Sequence, residues 1–167
     1  MIKIVKDDIL KIKADAIVNP ANKDLQIGSG LSGLIHNAAG PMLEQACLNF
    51  APLNSGNAII TPGFNLGQKF VVHAVGPNYY SETEKAPYLL EQTYKNILSI
   101  VKTHNLSTIA IPCISTGIYG FPKEDAALIA YKTVKSFLSE NELDVIFCCY
   151  EDQDYEIYNL LHKMNFN

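Results

Sequence analysis

Two kinds of segment follow one another along the chain: short apolar runs rich in β-branched residues, and longer runs with apolar residues three or four positions apart. The short runs predict buried strands and the longer runs predict amphipathic helices. Strands are predicted at 2–5, 14–19, 57–61, 69–75, 108–114 and 144–149, and helices at 31–47, 86–104, 123–138 and 152–164. Residues 9–12 are expected to extend the first strand or to pair with it.

Buried strands that alternate with helices indicate an α/β fold, in which helices cover both faces of the sheet. The 167 residues contain no internal repeat, linker or low-complexity segment, so we expect a single domain over residues 1–167. Ligands of such sheets gather at the carboxyl ends of the strands. Loops that follow the predicted strands are therefore the first places to look for a site.

Two glycine-rich turns lie between a predicted strand and a predicted helix. We call Gly28-Ser29-Gly30-Leu31-Ser32-Gly33 the first glycine loop and Ser115-Thr116-Gly117-Ile118-Tyr119-Gly120-Phe121-Pro122 the second. Backbone N–H groups at a strand-to-helix turn are unpaired and form a cradle for anions. Ser32 is expected to be the N-cap of the helix that follows the first loop. Two such loops in one small domain predict a pocket for a diphosphate.

The charge balance adds to the importance of these loops. The formal net charge is −4 with a pI of about 5.5, which argues against a broad nucleic-acid-binding surface. The chain has no arginine, so a phosphate must be held by backbone amides, hydroxyls or lysine. No apolar run approaches the roughly 20 residues that span a bilayer. Residues 1–5 are typical of a first strand rather than a signal peptide, so a cytoplasmic location is expected.

Polar and sulfur-containing side chains offer a few further candidates. Asn19 and Asn22 flank a Pro-Ala turn after a buried strand, where their amides suit either a ribose diol or a turn cap. His73 lies inside a strand pattern and is expected to be a hydrogen-bonded core histidine. The four cysteines form no Cys-x-x-Cys motif and are expected to be buried free thiols. The four histidines are scattered, so neither a metal nor a cofactor is expected.

Five motifs occur in an order that closely resembles the macrodomain family, and together they extend over essentially the whole chain. They are Asp8-Ile9, Ile17-Val18-Asn19-Pro20-Ala21-Asn22, Gly28-Ser29-Gly30-Leu31-Ser32-Gly33-Leu34-Ile35-His36-Asn37-Ala38-Ala39-Gly40, Val72-His73-Ala74-Val75-Gly76-Pro77, and Ile114-Ser115-Thr116-Gly117-Ile118-Tyr119-Gly120-Phe121-Pro122. The resemblance implies a three-layer α/β/α sandwich with a mixed central sheet. It also implies that the partner is ADP-ribose, free or attached to a macromolecule. No membrane partner is expected, because no apolar run is long enough to span a bilayer. The protein is expected to be a monomer, and nucleic acid is expected only as an ADP-ribosylated substrate.

The resemblance also assigns roles to individual positions. Asp8 would accept a hydrogen bond from the adenine amino group beside the Ile9 backbone, and Tyr150 would stack on the base; the alternatives are a surface acid and a core tyrosine. Asn22 would bind the distal ribose. In the first loop, Gly28, Ser29, Gly30, Leu31 and Ser32 would wrap the distal ribose and one phosphate. In the second, Ser115, Thr116, Gly117, Ile118 and Tyr119 would hold the diphosphate with backbone N–H groups, and Tyr119 would cover the distal ribose or serve only as a packing aromatic.

One position departs from the family pattern and leaves the activity open. Many hydrolytic macrodomains carry an aspartate where this chain has Ser32. A carboxylate can position or partly deprotonate a water, whereas an unactivated hydroxyl is no base at neutral pH. One hypothesis is an enzyme that hydrolyses ester-type ADP-ribosyl linkages, with Asn22 aligning the ribose and either the ligand's phosphate or His36 replacing the carboxylate. The other is a module that binds ADP-ribose without cleaving it. His36 is otherwise expected to bond a neighbouring loop.

Overall fold

The computed structural model describes residues 1–165, so the last two positions of the predicted 1–167 domain lie outside the described residues. Six strands and five helices of seven residues or more make up this part of the chain. The strands are β1 (Ile2–Lys6), β2 (Ala16–Pro20), β3 (Ala58–Pro62), β4 (Phe70–Ala74), β5 (Thr108–Ile111) and β6 (Asp144–Cys149). The helices are α1 (Gly30–Ala39), α2 (Pro41–Cys47), α3 (Ala86–Thr103), α4 (Lys123–Leu138) and α5 (Asp152–Met164).

The strands form one mixed sheet in the order β1-β6-β5-β2-β4-β3. All neighbouring strands are parallel except β3, which runs antiparallel to β4 at one edge. Central strand β2 has four consecutive fully buried residues, Ala16 to Asn19, as expected of a strand that is covered on both faces. The parallel strands therefore all deliver their carboxyl ends, and the loops that follow them, to the same edge of the sheet.

Alternate side chains of each strand point to two separate apolar cores. One core packs strand residues such as Val18 and Phe147 against α3, α4 and α5. The other packs Ile17 and Val71 against α1 and α2, through Ile35, among others. Helices on both faces of one sheet make a three-layer α/β/α sandwich with a mixed central sheet, so the fold class predicted from the sequence is confirmed.

Three predicted helices or strands differ from the structure by more than two residues. Residues 9–12 are not a strand: a 3-10 turn spans Ile9–Lys11, and Asp8 caps it by accepting a hydrogen bond from the Leu10 N–H at 3.0 Å. The predicted helix 31–47 is two helices, because Gly40 has φ of +91° and Pro41 then starts α2. The predicted strand 108–114 ends at Ile111, because Pro112 has no N–H for the sheet ladder.

Candidate functional site

A cavity of about 400 Å³ opens at the carboxyl ends of β2 and β5, between the two glycine loops. Ten of the residues predicted to bind a ligand line it, namely Asn22, Gly28, Ser29, Gly30, Leu31, Ser32, Ser115, Gly117, Ile118 and Tyr119. The structure thus brings together two segments that are far apart in the sequence, since Gly30 and Ser115 are separated by 85 positions. Thr116, Asp8, Ile9, Tyr150 and His36 do not line this cavity.

The first glycine loop runs directly into α1. Ser29 occupies the N-cap position, so Ser32 is not the N-cap as predicted but lies inside the first turn. Gly30 has φ of +60°, a left-handed conformation that glycine adopts at little cost. A Cβ on Gly33 would lie 2.6 Å from the carbonyl oxygen of Gly28, so only glycine lets the helix pack this closely on the loop. The N–H groups of the first helical turn have no partner within the helix and carry partial positive charge.

The segment before the first loop is held by side-chain contacts to the backbone. The Asn22 carboxamide donates to the Gln26 carbonyl at 3.0 Å and accepts from the Gln26 N–H at 3.2 Å. This matches the turn-cap alternative for Asn22. It still leaves one amide hydrogen and one lone pair for a ligand. The Ile27 N–H donates to the Glu44 carboxylate at 2.7 Å, a contact from α2 that no sequence motif indicated.

Backbone hydrogen bonds within the second glycine loop hold it in a closed turn. The Phe121 N–H donates to the Ser115 carbonyl at 2.9 Å, and the Gly120 N–H donates to the Gly117 carbonyl at 3.0 Å. Ser115 adopts φ of +67°, which is rare for a residue other than glycine and costs of order 1–3 kcal/mol. A Cβ on Gly117 would meet no heavy atom within 4 Å, so this glycine faces open space in the cavity wall.

The segment that contains Tyr79 and Tyr80 contacts the second loop. The Tyr79 N–H donates to the Tyr119 carbonyl at 2.8 Å. Gly120 has φ of +69°, and a Cβ there would clash with the ring of Tyr80. Tyr79 also packs on Phe121 with ring centroids 4.9 Å apart. The loop shape is therefore fixed by packing as well as by its own hydrogen bonds.

Two buried hydroxyls line the cavity without a hydrogen-bond partner among the described residues. Ser32 Oγ and Ser115 Oγ belong to residues that are only 6% and 7% exposed. A buried polar atom without a partner costs about 1–3 kcal/mol. A ligand that supplies hydroxyl or phosphate oxygens at this depth would recover that free energy, which suits a polar ligand rather than an apolar one.

The cavity lining contains no aspartate, glutamate, lysine or histidine among the described residues. Its two titratable groups stay neutral at pH 7. A hydrogen bond with Cys149 and burial raise the pKa of the Cys113 thiol, and burial and the charge of Glu82 raise the pKa of the Tyr119 phenol. An anion in this cavity would therefore be held by backbone dipoles and hydroxyls.

His36 lies on α1, buried behind the cavity wall, and its Nδ1 has no hydrogen-bond partner among the described residues. The expected bond from His36 to a neighbouring loop is therefore not made through this nitrogen. Burial lowers the pKa of His36, and the charge of Glu44 opposes that effect in part. The imidazole is thus predominantly neutral at pH 7, the form in which a ring nitrogen can accept a proton.

His73 is the hydrogen-bonded core histidine that the sequence predicts. Its ring is fully buried, with Nδ1 3.1 Å from the Asn19 amide nitrogen and Nε2 3.0 Å from Thr61 Oγ1. The Asn19 amide donates to Nδ1, so the ring hydrogen lies on Nε2. Burial and the nearby His36 lower the pKa of His73 to about 3. Asn19 serves this core network rather than the cavity.

The residues predicted to contact adenine lie at the same edge of the sheet but outside the cavity lining. Asp8 follows β1 and Tyr150 follows β6, and the Asp7 N–H donates to the Cys149 carbonyl at 3.1 Å, which joins the two segments. Tyr150 is 83% exposed, so it is not a core tyrosine. Asp8 is exposed, while the Ile9 side chain is buried.

Other features bear on cofactors and on membranes. All four cysteines are free thiols; Cys113 is half-buried and the others are buried. Within residues 1–165, no group of three or more His, Cys, Asp or Glu side chains is arranged to hold a metal ion. No helix in this part of the chain is long and apolar enough to cross a membrane.

Comparisons with known sequences and structures support the family resemblance that the sequence motifs indicate. Residues 18–130 match the family model described as Macro domain. The chain is 44% identical to human ADP-ribose glycohydrolase MACROD2, over 98% of this chain but only 39% of that protein. It is 40% identical to the O-acetyl-ADP-ribose deacetylase of Cronobacter sakazakii, over 96% of this chain and 92% of that protein. The Oceanobacillus iheyensis macrodomain with ADP matches with a TM-score of 0.92 and 42% identity, over 96% and 89% of the two chains. The chain belongs to the macrodomain family.

Proposed function

We propose that this protein binds ADP-ribose in the cavity between the glycine loops and hydrolyses ester-type ADP-ribosyl linkages, in mono-ADP-ribosylated proteins or in O-acetyl-ADP-ribose. The observation that carries the proposal is the pair of glycine loops facing each other across a cavity of about 400 Å³, whose lining has no charged side chain among the described residues. The names of two relatives support the reaction: one is an ADP-ribose glycohydrolase and another an O-acetyl-ADP-ribose deacetylase.

The diphosphate would lie between the loops. Backbone N–H groups of the second loop, from Ser115 to Tyr119 and including Thr116, would donate to its oxygens, and the helical dipole of α1 would face it from the first loop. Asn22 would bond the distal ribose with its remaining amide hydrogen, and Tyr119 would cover the sugar. This arrangement suits a chain without arginine, because main-chain donors replace the guanidinium fork.

The adenine would extend toward Asp8, Ile9 and Tyr150 at the outer end of the site. The exposed ring of Tyr150 offers a face on which a base can stack, which is worth roughly 1–3 kcal/mol. The Asp8 carboxylate would accept from the exocyclic amino group of adenine beside the Ile9 backbone. Asp8 also caps the Ile9–Lys11 turn, so the same carboxyl would hold both contacts.

In the reaction, one water cleaves the ester bond. O-acetyl-ADP-ribose gives acetic acid and ADP-ribose, and an ADP-ribosylated protein gives a side-chain carboxyl group and ADP-ribose. Asn22 would align the distal ribose, and Ser32 Oγ would bond one of its hydroxyls. Proton acceptance from the water would fall to a phosphate oxygen of the ligand, because the lining holds no carboxylate among the described residues. The neutral imidazole of His36, the other candidate, does not line the cavity and would act only through an intervening water.

Within residues 1–165 the lining has no carboxylate, which also favours a second candidate, a module that recognises ADP-ribose without cleaving it. The hydroxyl of Ser32 can bind a sugar yet cannot serve as a base at neutral pH. Both candidates place the ligand in the same cavity and differ only in turnover.

The experiment is therefore a binding measurement followed by a turnover measurement. Calorimetry with ADP-ribose should give saturable one-site binding. Purified protein should then release acetate from O-acetyl-ADP-ribose and ADP-ribose from a mono-ADP-ribosylated protein. Binding without turnover on either substrate favours the reader, and no binding at high ligand excess rejects both.

The remaining aspects of the proposal follow the same reasoning. Residues 1–167 would act as one domain and as a monomer, with no cofactor. A cytoplasmic location agrees with free thiols rather than disulfides. A nucleic acid would be a partner only as the carrier of an ADP-ribosyl group, because the net charge of −4 does not attract a phosphate backbone.

A further inference from the structure

Glu44 lies on α2, outside both glycine loops, yet its side chain reaches the first of them. Its Oε2 accepts a hydrogen bond from the Ile27 N–H at 2.7 Å, and Ile27 directly precedes Gly28. Glu44 itself is half-buried between α2 and this segment. Hydrogen bonds from a backbone N–H to a carboxylate are about twice as strong as those between neutral groups. The contact attaches the start of the loop to a helix of the sandwich.

Contacts at three points hold the segment that leads to the loop, and the bond to Glu44 is the last of them along the chain. Asn22 and Gln26 bond each other, which shapes residues 22–26, and the buried Leu25 side chain lies in an apolar cluster with Cys47 of α2 and Val75. The Lys23 carbonyl accepts from the Leu53 N–H at 2.8 Å, which holds the near end. Glu44 holds the far end, immediately before the residues that line the cavity.

The first glycine loop is short and rich in glycine where it follows Ile27. Gly28 and Gly30 are two of the next three residues, α1 begins at Gly30, and a Cβ on Gly30 would meet no heavy atom within 4 Å. Glycine loses more conformational freedom on ordering than any other residue. A ligand that needs this loop in one shape would have to supply that ordering itself if the anchor were absent.

From these contacts we infer that Glu44 is a positioning residue, which holds the first glycine loop in the shape that receives the distal ribose and so favours ADP-ribose over ADP. The inference rests on the proposed function. The second loop would hold the diphosphate of either nucleotide. Only ADP-ribose carries the second sugar that the first loop would contact.

The charge of Glu44 acts in the opposite direction from its anchoring role. A carboxylate near the cavity repels a diphosphate, whereas the hydrogen bond to Ile27 helps to bind it. Two substitutions separate these effects. Glu44→Ala removes both the charge and the acceptor, while Glu44→Gln removes the charge and keeps an amide oxygen that can accept from the Ile27 N–H.

The test compares Kd for ADP-ribose and for ADP by calorimetry in the wild-type protein and in both variants. We expect Glu44→Ala to weaken ADP-ribose binding about 5- to 10-fold and ADP binding about 2-fold or less. The reason is that ADP-ribose, which contacts the first loop through its second sugar, would then have to order that loop on binding. Glu44→Gln should bind ADP-ribose as tightly as wild type or more tightly. Glu91→Ala is the matched control, since Glu91 makes an exposed ion pair with Lys95 on α3 at 3.4 Å.

The outcomes separate the inference from its alternatives. An unchanged ratio of the two affinities in Glu44→Ala overturns it, as does equal weakening in the alanine and glutamine variants. Tighter binding in both variants would mean that only the charge matters. If wild type binds neither nucleotide, the proposed function is refuted together with the selectivity. The anchor is then decided by amide exchange at Ile27 in the ligand-free protein, which should accelerate in Glu44→Ala and not in Glu44→Gln; equal exchange rates overturn it.

Discussion

Gly117→Glu is the substitution that most directly tests where the diphosphate binds. Gly117 lies in the second loop, and a Cβ there would meet no heavy atom within 4 Å. The fold should therefore accept a side chain at this position with little loss of stability, since replacing a glycine also reduces the freedom of the unfolded chain. The new carboxylate would extend into the cavity that Gly117 lines.

The expected loss of affinity follows from the charge and the size of the added group. Two like charges 4 Å apart repel by about 1 kcal/mol in water and about 4 kcal/mol near a protein surface. Because the cavity is open to solvent on one side, we take an intermediate value of about 3 kcal/mol for the repulsion between the new carboxylate and the diphosphate. Because every 1.4 kcal/mol is tenfold, ADP-ribose affinity should fall on the order of 100-fold.

Calorimetry measures that loss, and two control variants identify its cause. Gly117→Gln has nearly the same size without the charge and should lose less affinity than Gly117→Glu. Gly67→Glu adds the same side chain at another glycine whose Cβ would meet no heavy atom within 4 Å, in the loop between β3 and β4, and should leave binding unchanged. Urea unfolding should give similar stability for all the variants. Affinity within about threefold of wild type in a folded Gly117→Glu variant would refute this placement of the diphosphate.

The remaining predictions concern catalysis and stability. Ser32→Asp should raise turnover of O-acetyl-ADP-ribose about 10-fold or more if a carboxylate is all that the site lacks; equal turnover at saturating substrate would contradict this account. The pKa of His73 is 6.5 in the unfolded chain and about 3 in the folded protein. Between pH 7 and pH 5 only the unfolded chain takes up this proton, so the free energy of unfolding should fall by about 2 kcal/mol as the pH is lowered over that range. His73→Gln should remove that part of the pH dependence in urea unfolding, and an unchanged slope would argue against it. Lys123 bonds the buried Asp154 at 3.0 Å, so Lys123→Met should destabilise the fold by about 3–5 kcal/mol in urea unfolding. The pair Lys123→Met with Asp154→Leu should recover most of that loss, and a double variant as unstable as the single one would count against an unpaired charge as the cause.

Elements with a clear hydrophobic period and strong end signals were predictable from the sequence. The bounds of α4, α5 and β6 agree with the predicted ranges, because each is a periodic or apolar run between polar turns. The errors have local causes. The break at Gly40 was not predicted, because an apolar period continues from α1 into α2. The positive φ of Gly40 and the proline that starts α2 are what separate the two helices.

The candidate site was predictable only in part. The meeting of the two glycine loops follows from parallel strands, whose carboxyl ends share one edge of the sheet. Glu44 was not predictable, because its contact with Ile27 joins a side chain to a backbone N–H 17 residues earlier in the chain, and side-chain identity carries no mark of such a contact. The turn cap at Asn22 was one of two alternatives that the sequence left open. The buried environments of Ser32 and His36 depend on packing across α1 that the period alone does not reveal.

An acidic chain without arginine can still present a site for a doubly charged ligand, because net charge and local potential act over different distances. The formal charge of −4 is spread over the surface and is screened beyond about 8 Å at physiological ionic strength. Residues of the two loops form the cavity wall itself, and the lining carries no charged side chain among the described residues. The backbone dipoles of these loops would therefore dominate the potential that a bound diphosphate experiences. The net charge acts mainly on encounter from a distance, so it lowers the rate of association more than the affinity.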